Sequence, residues 1–172
     1  KQIPAALNFT MCGNPNWNSD IGGFFNGKYK GPGEDAYNEL YVRWIQFGTF
    51  CSMMRSHGAG TDRAIYQYGE PGTKYYNAID KYINLRYSLL PYIYSTEWNI
   101  HNNGSSFMRA LAMAYPKDKN TYDDKQDFLF GSSILVAPVL EPNATERNVY
   151  LPMGNDWIDF WTGQKQKGGE FV

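Results

Sequence analysis

The sequence predicts an α/β region followed by an all-β region, and three observations support this fold class. Helical apolar patterns alternate with short apolar runs in the first hundred residues, as in a parallel sheet flanked by helices. Both short runs end in polar residues, which include Asp20 and His57. From residue 105 the pattern changes to short runs separated by turns, which is typical of antiparallel sheets. We therefore expect two units, residues 1–104 and residues 105–172.

The first unit is predicted to contain three helices and two strands. The expected elements are a helix ending at Gly13, a strand over residues 14–20, a helix over residues 34–47, a buried strand over residues 49–54 and a helix over residues 73–103. Ile3, Leu7 and Met11 give the first helix one apolar face, and Leu40 and Trp44 do the same for the second.

The third predicted helix contains a proline. Pro91 lacks a backbone donor and clashes one turn back, so we expect a kink near Tyr87 or Ser88. Gly104 follows the last helical residues and is expected to close the helix. The apolar stripe expected to face the core consists of Ile79, Tyr82, Ile83, Leu90, Ile93 and Tyr94.

The second unit is predicted to contain about four strands, too few to close a β-sandwich. They are expected over residues 107–115, 128–139, 147–151 and 157–161. The polar segment 116–125 is predicted to be a surface loop. Its acidic residues Asp118, Asp123 and Asp124 lack the spacing and central glycine of a calcium loop, so we interpret them as a solvated charge run and expect no metal site.

Composition excludes several classes of partner. The net charge is −1 and no cluster of Lys or Arg exceeds two residues, so we expect no nucleic-acid or membrane partner. The longest apolar run, residues 134–140, is far shorter than the roughly 20 residues that cross a bilayer. Cys12 and Cys51 are expected to be free, buried thiols and leave the compartment open, with a periplasmic or secreted location favoured over a cytoplasmic one.

The two ends of the chain indicate a piece of a longer protein. The sequence starts with KQIPAAL, which is neither an initiator nor a signal peptide and has the pattern of a helix interior. It stops at residues 169–172 on what resembles the start of a strand. We therefore expect open strand edges and apolar helix faces, and hence self-association of the isolated chain.

Residues 17–24 (WNSDIGGF) place one carboxylate where an apolar run meets a permissive turn. A buried carboxylate needs a partner, and the two glycines after Asp20 let the backbone turn away without a Cβ penalty. This arrangement presents a side chain at a strand end. An Asp that merely caps the next turn is an equally good interpretation of this segment alone. The chain also holds 14 Tyr, 10 Phe and 5 Trp, which suit both a core and a site that stacks sugar faces.

Five motifs in order resemble glycoside hydrolase family 31, the α-glucosidase and α-xylosidase family. The segments that carry the resemblance are residues 17–24 (WNSDIGGF), 39–48 (ELYVRWIQFG) with 55–58 (RSHG), 85–94 (LRYSLLPYIY), 108–109 with 130–131, and 135–139 (LVAPV). They span nearly the whole chain. The resemblance implies the last part of a (β/α)8 TIM barrel over residues 1–104 and an incomplete antiparallel β-sandwich over residues 105–172.

The family implies a retaining α-glycosidase without a cofactor. Retention needs two carboxyl groups about 5–5.5 Å apart, one as nucleophile and one as acid/base. In the family these groups follow strands four and six of the barrel, so both are expected to precede Lys1. We therefore expect this chain to contain no catalytic residue. The partners implied are an oligosaccharide substrate and the remainder of the parent enzyme.

By the same resemblance, the chain supplies one wall of the sugar pocket. The residues matching Asp20 and His57 meet the hydroxyls of the cleaved sugar or orient groups that do. The aromatic residue matching Phe24 packs on that sugar, and the arginine matching Arg55 supports the acidic cluster. From the residues alone, His57 fits a core histidine, Arg55 fits a structural ion pair, and Trp17 fits a barrel core as well as a ligand contact.

Two departures from the family pattern favour an α-xylosidase over an α-glucosidase. Ser52 stands where many members have proline. In the loop after Arg63 this chain has Ala64, Ile65 and Tyr66, whereas the commoner form of that loop in the family contains Glu and Trp. A free-standing carbohydrate-binding or interaction module without catalysis is the alternative function. It would be a monomer with closed sheets and measurable sugar affinity.

Overall fold

Helices surround one small parallel sheet in the first hundred residues of the computed structural model, which describes all residues from 1 to 172. In chain order the elements are α1 (Gln2–Met11), β1 (Asp20–Ile21), α2 (Asp35–Thr49), β2 (Arg55–Ser56), a 3-10 turn (Ile65–Tyr68), α3 (Lys74–Ser88) and α4 (Leu90–Asn103). Strands β1 and β2 pair in parallel, with Asp20 opposite Arg55 and Ile21 opposite Ser56. The predicted parallel arrangement is therefore confirmed for this pair.

The first two helices follow their predicted apolar patterns only in part, since Leu40 and Trp44 of α2 are half-buried. Ile3 and Leu7 of α1 are buried, and Gly13 beyond its end has a φ of +90°. Met11 was expected on the same face but is 53% exposed, because the buried face continues through Thr10 in the last turn instead. Helix α2 occupies the predicted position and continues two residues further, to Thr49.

Both strands are much shorter than predicted. Residues 14–19 are not a strand because their backbone groups bond outside any ladder, as when Phe107 donates to the Pro15 carbonyl at 3.1 Å. The buried strand expected over residues 49–54 is also wrong. Thr49 belongs to α2, and the turn that follows is held by Arg86, which donates to the Thr49 carbonyl at 2.9 Å and to the Ser52 carbonyl at 2.7 Å.

The single helix expected over residues 73–103 is two helices, α3 and α4, separated at Leu89. The break lies one residue past the predicted kink and places Pro91 in the first turn of α4, where its missing donor costs least. Gly104 caps α4 in the left-handed region, as expected. The predicted apolar stripe is only partly internal, because Leu90 and Tyr94 point away from the core and are 46% and 79% exposed.

Seven strands, one short helix and a 3-10 turn (Lys119–Thr121) form the second half of the chain. The strands and the helix are β3 (Met108–Ala110), α5 (Leu111–Ala114), β4 (Phe128–Phe130), β5 (Ile134–Val136), β6 (Tyr150–Leu151), β7 (Asp156–Ile158), β8 (Lys165–Lys167) and β9 (Glu170–Phe171). All pairings are antiparallel, in three sheets of order β3-β4-β5, β6-β9 and β7-β8. The predicted strand over residues 107–115 is half wrong, since the Leu and Ala residues after β3 favour a helical turn.

Two further expectations are corrected by burial. Asp118 is 2% exposed rather than solvated, because its carboxylate accepts hydrogen bonds from the Tyr150 hydroxyl and the Met153 amide, both at 2.9 Å. Cys51 is buried as predicted, whereas Cys12 is exposed. No helix combines the length and apolar character needed to cross a membrane.

Two apolar clusters stabilise the fold. The larger joins α1, α2 and α4 to the β3-β4-β5 sheet and contains Ile3, Ala6, Leu7, Phe47, Cys51, Leu89, Ile93, Ile100, Phe107, Met108, Ala110, Phe128, Phe130 and Val136. The smaller packs α2 and α3 beneath β1 and contains Ile21, Tyr37, Tyr41, Val42, Ile45, Tyr68 and Ile79. The smaller cluster fixes the position of the strand end that carries Asp20.

Candidate functional site

The structure places four of the five predicted site residues at, or directly after, two paired strands. Asp20 and Arg55 are opposite each other in the β1-β2 pair, and Arg55 Nη2 lies 2.6 Å from Asp20 Oδ1. The Asp20 side chain is 21% exposed and that of Arg55 is 55% exposed. The pair is therefore open to solvent on one side, where a polar ligand could reach the carboxylate.

Phe24 and His57 form the second pair of the site. They follow β1 and β2, and their ring centroids are 5.5 Å apart at an angle of 57°. The two segments are joined directly, because the Ala59 amide donates to the Phe24 carbonyl at 2.8 Å. Both side chains are exposed, so His57 is not the core histidine that the residues alone allowed. The arrangement offers an aromatic surface beside an imidazole, which suits a ring-shaped polar ligand.

Gly22 and Gly23 permit the turn that carries Phe24 away from β1. Their φ angles are +87° and +83°, and the Gly23 amide donates to the Asp20 carbonyl at 2.8 Å. At Gly22 a Cβ atom would lie 2.8 Å from Tyr41 Cδ2 and 2.9 Å from the Tyr37 hydroxyl oxygen. The turn therefore needs glycine both for its conformation and for its close approach to α2.

Tyr41 supports β2 from beneath. Its hydroxyl oxygen lies 2.9 Å from Ser56 Oγ, and it donates to the Arg63 carbonyl at 3.3 Å. The Tyr41 ring stacks on Tyr68 with centroids 4.1 Å apart. Burial raises the pKa of both phenols above the ordinary tyrosine value, so both remain neutral at physiological pH. Tyr41 thus acts as a neutral hydrogen-bonding support rather than as an acid or base.

Trp17, the fifth predicted residue, packs into the fold. Its ring contacts Phe9 edge to face at 5.6 Å between centroids and lies against the larger apolar cluster. Its Nε1 is buried without a hydrogen-bond partner. The Ser52 hydroxyl holds its backbone, accepting from the Trp17 amide at 2.9 Å and donating to the Trp17 carbonyl at 3.1 Å. Of the two interpretations of Trp17, this position favours the core one.

Sequence reasoning missed Arg63 and Asn26, which connect the two loops of the site. Arg63 Nη2 donates to the Gly23 carbonyl at 2.7 Å and to Asn26 Oδ1 at 3.3 Å. Asn26 in turn donates to Thr61 Oγ1 at 2.5 Å. No local pattern marks these residues, because each acts on a segment about 35 or more positions away.

A cavity of about 720 Å³ lies away from this site. It is lined by Lys1 and residues of α1, by Lys28 and Tyr29, and by residues of α2 and the segment 140–143. None of the five predicted residues lines it. Glu39 and Arg43 at its wall bind each other and are tied to the backbone of Asn143 and Ala144. We found no group of three His, Cys, Asp or Glu side chains with metal-binding geometry.

Comparison with known proteins agrees with this geometry. Residues 1–96 match the model of the glycosyl hydrolases family 31 TIM-barrel domain, and residues 104–172 match that of the glycosyl hydrolase family 31 C-terminal domain. The helices and the parallel pair therefore correspond to part of a barrel, and the antiparallel strands to the domain that follows it.

Named relatives support the same assignment. The chain is 44% identical to an alpha-xylosidase of Saccharolobus solfataricus and 37% identical to alpha-glucosidase 2 of Bacillus thermoamyloliquefaciens, with 99% and 98% of this chain aligned. It spans only 23% and 20% of those proteins. A solved alpha-xylosidase from a soil metagenome, complexed with xylose, superposes on 98% of this chain and 27% of its own, with a TM-score of 0.89 and 34% identity. On these matches and on its fold, the chain belongs to glycoside hydrolase family 31.

Proposed function

We propose that this chain is a segment of a retaining α-glycosidase that releases terminal α-linked xylose or glucose from oligosaccharides. The observation that carries the proposal is the grouping of Asp20, Arg55, Phe24 and His57 at one end of the parallel pair. Sites in barrels of this kind lie at the carboxyl ends of the strands. Family membership adds the class of reaction.

The four side chains divide the work of holding one sugar. Asp20 would accept hydrogen bonds from hydroxyl groups with its exposed oxygen, while Arg55 holds the other oxygen in place. His57 would bond a further hydroxyl, and Phe24 would pack on the apolar face of the ring. Charged groups beside an aromatic surface are the usual means of binding a neutral sugar.

We propose that both catalytic carboxylates lie outside this chain. Retention requires a nucleophile and an acid/base about 5–5.5 Å apart on opposite sides of the anomeric carbon. The residues of this site instead bind hydroxyls and orient the ring. The chain would then contribute binding energy and position to a reaction whose covalent step belongs to residues elsewhere in the enzyme.

We favour xylose over glucose as the sugar released. The departures at Ser52 and at residues 64–66 are the sequence basis for this preference. The alpha-xylosidase relative has higher identity to this chain than the alpha-glucosidase relative, and the soil-metagenome alpha-xylosidase was solved with xylose. The groups that would crowd the sixth carbon of glucose are expected mostly outside this chain.

Hydrolysis of 4-nitrophenyl α-xyloside and α-glucoside tests the proposal. We expect the full-length enzyme to cleave the xyloside with the higher kcat/KM and the isolated chain to cleave neither. Asp20→Ala in the full-length enzyme should lower kcat/KM by about a hundredfold, because the charged hydrogen bonds to the sugar are lost. Asp123→Ala, an exposed carboxylate on the far loop, is the matched control and should change nothing.

Three results would contradict the proposal. Turnover by the isolated chain would show that it holds the catalytic carboxylates. An unchanged kcat/KM in Asp20→Ala would remove the proposed pocket. Measurable sugar binding by a monomeric isolated chain, with no activity in the full-length enzyme, would favour a binding module instead.

A further inference from the structure

We infer that Arg63 is the positioning residue that sets the spacing between Phe24 and His57, an inference that rests on the function proposed above. Phe24 belongs to the loop after β1, and His57 to the loop after β2. These loops carry the two exposed rings of the site on segments with little secondary structure of their own. Strand pairing does not extend to these rings. The Ala59 amide joins the loops at the Phe24 carbonyl, and side-chain contacts must supply the rest of what holds the rings 5.5 Å apart.

The guanidinium of Arg63 lies between these loops and donates to both. Nη2 bonds the Gly23 carbonyl at 2.7 Å, one residue before Phe24, and Nη1 bonds the Thr61 carbonyl at 3.1 Å on the second loop. Nη2 also reaches Asn26 Oδ1 at 3.3 Å. A planar fork can serve these directions together, whereas a lysine ammonium at the end of a flexible stem cannot hold them in one plane.

The space around Arg63 is shaped for it. At Gly58, the residue after His57, a Cβ atom would lie 2.4 Å from Arg63 Nη1 and 2.5 Å from Nη2. The guanidinium therefore packs against the backbone beside the imidazole. Arg63 has no carboxylate partner in the structure. Carbonyl and amide oxygens of the two loops accept from Nη1 and Nη2, while Nε is buried without a partner.

The proposed role of Arg63, which acts on the sugar only by positioning Phe24 and His57, can be distinguished from a purely structural role by kinetics. If Arg63 fixes the rings, its loss misplaces contacts that the sugar makes in both the ground state and the transition state. Such a loss raises KM and leaves kcat nearly unchanged. A merely structural role would reduce the fraction of folded enzyme, which lowers the apparent kcat without changing KM.

We therefore compare two variants with one control in the full-length enzyme. Arg63→Lys keeps the charge but loses the fork, and Gly58→Ala pushes the guanidinium out from the other side. Each is expected to raise KM for 4-nitrophenyl α-xyloside about tenfold, with kcat within about twofold of wild type, and to weaken xylose binding in calorimetry by a similar factor. Lys30→Met, an exposed cation of the same region, should leave both constants unchanged.

The outcomes separate this inference from the function on which it rests. An active wild type with unchanged KM in both variants would overturn the positioning role and leave the proposed function intact. An inactive wild type would overturn the proposed function, and the inference with it. If Arg63→Lys does not fold, Gly58→Ala, which retains Arg63, still decides between the two roles.

Discussion

Single side chains replace strand pairing at several points around the site. The Ser52 hydroxyl both donates to and accepts from the backbone of Trp17, which holds a segment that has no ladder of its own. Many family members have proline at the position of Ser52, and a proline side chain could not form these two hydrogen bonds. Arg86 does similar work on the turn that precedes β2. These contacts explain how strands of two residues suffice to place Asp20 and Arg55.

The two cysteines should differ sharply in reactivity. Burial raises the pKa of Cys51 to about 12, so almost none of it is thiolate at pH 8, whereas Cys12 is exposed. We expect one equivalent of maleimide to react quickly with the native chain at pH 8 and two equivalents after denaturation, as counted by mass spectrometry.

A Cys12→Ser variant provides the control for this experiment. It should show no rapid reaction in the native state and one equivalent when denatured. Rapid labelling of Cys51 in that folded variant would mean that the larger apolar cluster opens readily, contrary to its packing.

At the scale of elements, the turn after β1 depends on a glycine that cannot be replaced. Gly22→Ala combines a left-handed backbone with a Cβ about 2.8 Å from the Tyr41 ring. We expect it to lower the free energy of unfolding by about 3 kcal/mol, from backbone strain and overpacking together. Urea denaturation followed by circular dichroism measures this change.

Gly27→Ala separates the two causes. Gly27 also has a positive φ, of +63°, but has nothing within 4 Å of an added Cβ. Gly27→Ala should lower the free energy of unfolding by about 1 kcal/mol, from backbone strain alone. Equal losses in the two variants would show that the approach of Tyr41 to the turn contributes nothing.

The positions of the helices were predicted more closely than the limits of the strands, although one predicted helix is two. Helix α2 buries one continuous face, and the apolar residues of such a face recur at a regular local spacing that the sequence shows. The limits of β1 and β2 depend instead on Ser52 and Arg86, whose partners lie about 35 residues away. Asp118 is buried for the same reason, since the hydroxyl and amide that satisfy its carboxylate lie in and beyond β6.

The candidate site was predicted more fully than the strands around it. Asp20 and His57 end two short runs, and strand ends at the same edge of a parallel pair must meet. Phe24 and Arg55 were assigned through the family resemblance. Arg63 and Asn26 could not be found in this way, because they reach the site by crossing between loops. The boundary between residues 104 and 105 stays a prediction.

For the whole molecule, the exposed face of α4 is the feature with the clearest consequence. Leu90, Tyr94 and Trp98 are spaced four residues apart, and the last two are 79% and 64% exposed. Three apolar side chains on one face of a helix are seldom left to solvent. We propose that this face is covered in the complete enzyme and that the isolated chain covers it by self-association.

Sedimentation velocity of the isolated chain tests this proposal. We expect a concentration-dependent dimer or larger species, and we expect Tyr94→Glu with Trp98→Glu to shift it to monomer by placing charges in the apolar contact. Ser95→Glu with Asn99→Glu adds the same two charges on another exposed side of α4 and should leave association unchanged. A monomeric wild-type chain, or equal effects of both changes, would count against the α4 face.

The larger apolar cluster has a consequence for how such enzymes diverge. It interleaves Ile3, Leu7 and Ile93 from the helical region with Phe107 and Phe128 from the antiparallel strands. A recombination event near residue 104 would thus pair halves whose side chains had not adapted to each other, leaving gaps that cost several kcal/mol. Lineages are expected to pass on the two regions as one inherited block, and chimeras that exchange only one should express poorly until this shared interior is repacked.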